Sequence, residues 1–103
     1  MPAITDPPPA DVEAEVDAYK AALAAVVPPK RGDNLLIGTW NVRAFNRLTS
    51  EWRSTTGDSP VRDLSNVLSI VETLRRFDVV AVQEVGSTAE GLLAALTALG
   101  EGW

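Results

Sequence analysis

Asp78-Val79-Val80-Ala81-Val82-Gln83-Glu84-Val85 is the segment that decides the fold. It is short, rich in β-branched residues and apolar until Gln83-Glu84, and Gly86-Ser87-Thr88 breaks it. Such a run reads as a strand covered on both faces. A second run of the same kind lies upstream, at Leu35-Leu36-Ile37-Gly38-Thr39-Trp40-Asn41-Val42, behind the polar joint Lys30 to Asn34. It too alternates little until its end, so burial on both faces is expected for both strands.

Between them, Ser59-Pro60 offers a helix cap and a first-turn proline. Leu64, Leu68, Val71 and Leu74 or Arg75 then mark one helical face running to about Arg76. Two strands joined through a helix imply a right-handed crossover and a parallel pair. Beyond the second strand, Glu90 to Leu99 reads as a further helix with Leu92, Leu93, Leu96 and Leu99 on one side. Ahead of the first, residues 1 to 9 are a Pro-rich lead-in in which Asp6 is a helix-start signal. Val12, Val16, Tyr19, Leu23 and Val26 recur at helical spacing from Ala10 to Val27, and Pro28-Pro29 ends the run. The fold class is therefore α/β, in the order helix, strand, helix, strand, helix. Residues 1–33 form the lead-in and acidic helix, and residues 34–103 the strand-containing part. Residues 43 to 59 make a long polar segment, and such segments are commonly functional or mobile.

Composition narrows the chemistry. Lys and Arg total 9 against 14 Asp and Glu, a formal net charge of -5, so the chain lacks the global basic character of a free-standing nucleic-acid binder. It contains no Cys, which excludes thiolate chemistry and disulfides, and no His, so an imidazole base would have to come from elsewhere. No signal-peptide pattern opens the chain, and no apolar run approaches the roughly 18 residues of a membrane span. A cytoplasmic location without membrane contact is the expectation.

A parallel pair places both strand ends at one sheet edge, where ligands bind in such folds. Both strands turn polar there, the first at Asn41 and the second at Gln83-Glu84. A carboxylate at that rim suits a hard cation, and an amide beside it suits a phosphate oxygen or a metal-bound water. A solvated or salt-bridged carboxylate fits the same pattern.

Ile37-Gly38-Thr39-Trp40-Asn41-Val42-Arg43, paired with Asp78 to Val85, closely resembles the first two motifs of the endonuclease/exonuclease/phosphatase family. That family includes the pancreatic-type deoxyribonucleases. The likeness covers about residues 35 to 86. It implies the N-terminal part of a four-layer α/β/β/α sandwich and a metal-dependent hydrolase of phosphodiesters or phosphomonoesters, nuclease first among them. By that resemblance Glu84 and Asn41 are catalytic and metal-site residues for Mg (or Mn), Glu84 as principal ligand and Asn41 beside metal and scissile phosphate; Arg43 contacts phosphate or is a solvated loop arginine. Arg47 and Arg53 read as solvated loop residues, and Trp40 as core. Its partners would be a phosphate-ester substrate, nucleic acid included, and the remainder of the catalytic domain. Pancreatic-type members place an Arg where this chain has Gly86, and the family completes its site with acids and two His from later strands. The chain alone is thus expected to be inactive. The alternative is a non-catalytic small α/β interaction module, or a decayed gene fragment, with helices 10–27 and 90–99 as contact surfaces. A doubly wound nucleotide-binding domain is set aside because no glycine-rich phosphate loop occurs.

Overall fold

The computed structural model describes residues 1–103, except the side chain of Ala44. Its elements are α1 (Ala10–Val26), β1 (Ile37–Phe45), α2 (Leu64–Arg75), β2 (Val79–Val85) and α3 (Glu90–Leu99). The strands form one parallel pair, with Ile37 opposite Val79 and Asn41 opposite Gln83. This is the α/β order and the parallel arrangement that the two apolar runs dictate. No helix is long and apolar enough to cross a membrane.

One expectation fails. The strands are covered on one face only. Gly38, Trp40 and Val42 of β1, with Val80 and Val82 of β2, face the helices, whereas Ile37 and Val79 are 64% and 53% exposed. Continuous apolar character shows that a strand can tolerate cover on both sides. It does not supply the second layer, and α1, α2 and α3 leave that face open.

The core lies between the pair and α2–α3. Val42, Phe45, Val67, Ile70, Val71, Leu74, Ala95 and Leu99 form it. α3 buries only part of its leucine face: Leu99 is in the core and Leu92 packs against it, whereas Leu93 and Leu96 are exposed and Gly91 and Ala95 face inward instead. Small residues win here because the helix passes close over the ring of Phe45. A methyl group on Gly91 would lie 2.5 Å from Phe45 Cε1, and the Gly91 amide already donates to the Asn46 carbonyl at 2.6 Å. Gly91→Ala should therefore destabilise the fold by about 1 kcal/mol. Overpacking of about 1–3 kcal/mol outweighs the better helix propensity of alanine, worth about 1 kcal/mol. A thermal midpoint above that of the parent protein would refute this reading of the α3 contact.

The start of α2 also differs. Its first residue is Leu64, several positions after Ser59-Pro60, and Asp63 is its cap. The Asp63 carboxylate accepts from the Asn66 amide while the Asn66 side chain accepts from the Asp63 amide, a reciprocal capping box. At the other end of the chain Asp6 accepts from the Ala3 amide and closes a turn, and Pro9 occupies the cap position of α1.

α1 lies on α2 through polar as well as apolar contacts. Val12 and Leu23 are buried, as their spacing requires, whereas Val26 is 77% exposed. The Tyr19 hydroxyl is 2.7 Å from Thr73 Oγ1, and Arg76 donates to the Lys20 carbonyl at 3.0 Å.

Candidate functional site

The residues singled out in sequence converge at one rim. Asn41 Nδ2 donates to Glu84 Oε1 at 3.0 Å. Asn41 Oδ1 accepts from the Arg43 amide at 2.9 Å. These two bonds fix the amide orientation, because only its nitrogen can donate to the carboxylate and only its oxygen can accept from a backbone N–H. Both side chains are exposed to solvent.

The backbone reaches this geometry through an irregularity. Pairing runs regularly to Asn41 opposite Gln83 and resumes at Phe45 opposite Val85, so β1 spends two more residues than β2 over the same interval. Arg43 and Glu84 both take left-handed backbone conformations, with φ of 56° and 62°. That region costs a residue with a side chain about 1–2 kcal/mol, and it concentrates at sites where a side chain must be re-aimed. Irregular pairing of this kind commonly occurs next to active sites. Here it lets Glu84 depart from the strict alternation of β2 and meet Asn41 across the pair.

The donor set at the rim is one carboxylate and one amide, both hard oxygen-bearing groups of the type that magnesium or manganese accepts. Glu84 matches such a cation in kind. The amide of Asn41 turns its nitrogen to Glu84, which makes it a group that orients the carboxylate. Among the described residues no group of three or more His, Cys, Asp or Glu side chains is placed to hold a metal ion.

The loop arginines divide. Arg53 ion-pairs with Glu15 at 2.5 Å and Asp11 at 3.4 Å on α1, and its pKa is raised, chiefly by the Glu15 hydrogen bond. It tethers the loop to the helix while remaining the solvent-exposed side chain that its position suggested. Arg43 and Arg47 border a cleft beside the rim, together with Arg62. Trp40 packs against the core, as its alternation from Asn41 requires.

Two residues that matter carried no assigned role in the sequence reading. Asn46 fills the space over Gly86, since a Cβ there would lie 2.2 Å from Asn46 Cγ, and it accepts from the Thr88 amide at 3.2 Å. Any larger side chain at position 86 would collide with Asn46 in this backbone. Asp63, besides capping α2, accepts from the Ser54 amide at 2.8 Å and the Ser65 hydroxyl at 2.6 Å. The long segment after β1 is therefore an ordered loop closed on its own ends, with Thr49 donating to the Arg62 carbonyl and Leu64 to that of Glu51. The spacing Asp63-Leu64-Ser65-Asn66 was the available signal for the cap. No family model, curated protein or solved structure matches the chain.

Proposed function

We propose that the 103-residue chain by itself is a non-catalytic α/β interaction module. The observation that carries this reading is the make-up of the rim: one carboxylate and one amide, in a chain with no imidazole to move a proton. Its contact surfaces are the open face of the strand pair, with Ile37 and Val79, and the outer side of α3, with Leu93 and Leu96. An uncovered sheet face carrying Ile37, Val79 and Ala81 is complementary to a second β-layer, so the occupant it fits is a polypeptide that brings its own sheet.

The Asn41–Glu84 hydrogen bond favours a second reading, which shares that surface. In it the chain is the N-terminal part of a four-layer α/β/β/α sandwich and contributes half of a phosphate-ester hydrolase centre of the endonuclease/exonuclease/phosphatase type. Glu84 would hold Mg (or Mn), Asn41 would orient that carboxylate and face a phosphate oxygen, and Arg43 would contact phosphate. The cation, when bound, supplies Lewis-acid polarisation of the ester. The β-layer covering the open face would bring the remaining acids and the His that activates water.

One set of measurements addresses both readings. With bis(4-nitrophenyl) phosphate and magnesium, the chain alone is expected to show no turnover above the uncatalysed rate. Manganese titration followed by electron paramagnetic resonance is expected to give weak binding, lowered roughly tenfold in Glu84→Gln. Magnesium-dependent turnover that Glu84→Gln abolishes would overturn the non-catalytic reading. Equal manganese affinity in the two proteins would overturn the half-centre.

A further inference from the structure

An open cleft of about 610 Å³ lies beside β1 on the helix-facing side of the sheet. Its walls include Tyr19, Trp40 and Ile70 together with Arg43, Arg47 and Arg62. No Asp or Glu lines it, although the chain as a whole is acidic. Among the described residues none of these three arginines forms a salt bridge. The ion pairs of the fold engage Lys30, Arg31, Arg53 and Arg75 instead.

Arg62 makes the asymmetry sharper. Its Nη2 donates to the Val42 carbonyl at 3.0 Å, and its guanidinium sits 5.5 Å from the centre of the Phe45 ring. Its Nη1 is buried with no hydrogen-bond partner. Buried donors are almost always satisfied, so Arg62 carries a donor that the fold itself does not pair. A planar guanidinium matches phosphate oxygens, and a cleft of this volume lies within the size range of small-molecule sites.

We propose that this cleft is an anion site for a phosphomonoester with a flat apolar body, of which a nucleoside monophosphate is the simplest example. The phosphate head takes the guanidinium groups of Arg43, Arg47 and Arg62. The ring system lies along Trp40 and Tyr19. Binding here needs no divalent cation, although Arg43 is shared with the Glu84 reading.

The test is calorimetric titration of the whole chain at fixed ionic strength in the presence of EDTA. Adenosine 5′-monophosphate is expected to bind saturably, and adenosine or inorganic phosphate roughly tenfold more weakly, because each lacks one half of the recognition. Arg47→Gln, at an exposed position, should weaken the nucleotide roughly tenfold, whereas Arg53→Gln should leave it unchanged. Arg62→Gln should act like Arg47→Gln, with circular dichroism confirming that it folds. Any one of three results would overturn the site. They are no saturation by about 10 mM nucleotide, adenosine binding as tightly as its phosphate, or an equal loss in Arg53→Gln.

Discussion

Phe45→Ala should lower the thermal midpoint of the chain by more than about 10 °C. Phe45 is 1% exposed and is one of the largest fully buried side chains of the fold. Emptying a site of this kind costs about 3–5 kcal/mol in transfer energy and cavity formation. A chain of this size has a total stability of about 5–15 kcal/mol, so the variant retains a small margin at best. The location amplifies the effect. Phe45 ends β1 opposite Val85, its carbonyl receives the Gly86 amide at 2.9 Å, and its ring carries both the close approach of α3 at Gly91 and the guanidinium of Arg62. Neither α3 nor Arg62 can follow a shrinking side chain without loosening the rim. Phe45→Leu retains much of the volume and should cost less than about 1.5 kcal/mol. Thermal unfolding followed by circular dichroism separates the two variants. An alanine variant that melts with the parent protein would show that the end of β1 is not the centre of this core.

The same residue marks the boundary of what could be read beforehand. Strand identity, direction and order follow from two apolar runs, because a run of β-branched residues bounded by turn formers has few other uses. The end of β1 was not legible. Asn41, Arg43, Asn46 and Arg47 make the region polar, and the strand continues only by spending extra residues with Arg43 in a left-handed conformation. Nothing in a residue count reveals such an irregularity when no glycine marks it. The α3 interface was misread for a related reason. Leucine spacing describes which side can be buried, whereas Gly91 and Ala95 describe which side can come close, and Phe45 makes closeness decisive.

The rim was more legible than its surroundings. Asn41 and Glu84 were picked out as residues closing neighbouring parallel strands, and they meet through a hydrogen bond. Their neighbours Arg43, Arg47 and Arg62 were less transparent, since a long guanidinium side chain has many places to go. Arg53 went to α1, where Asp11 and Glu15 offer carboxylates. Arg62 went under β1 to the Val42 carbonyl. Long side chains are placed by tertiary partners, and those partners lie far off in sequence.

Asp63→Ala should destabilise the fold by about 3 kcal/mol, an effect that depends on pH. The carboxylate is 6% exposed and accepts from the Ser54 amide, the Ser65 hydroxyl and the Asn66 amide. Losing the cap of α2 costs about 1 kcal/mol, and each of the remaining buried donors left without an acceptor adds about 1 kcal/mol or more. Burial alone would raise the Asp63 pKa; the hydrogen bonds from Ser65, Ser54 and Asn66 outweigh it and bring the value below the ordinary 3.8. A carboxylate whose folded pKa lies below its unfolded one stabilises the fold fully above the unfolded value, and the contribution disappears as pH falls through the folded value. The difference between parent and Asp63→Ala should accordingly be constant near neutrality and begin to shrink once pH falls to about 4. Asp63→Asn separates charge from shape. Its amide oxygen still accepts hydrogen bonds, so it should recover part of the capping energy while losing the acid-dependent portion. Urea titrations of the three proteins at pH 7 and near pH 3 measure both quantities. A difference between parent and alanine variant that grows on acidification would mean that Asp63 binds its proton more readily in the folded protein than in the unfolded chain, and the loop-closing role assigned to its ionised form would be wrong.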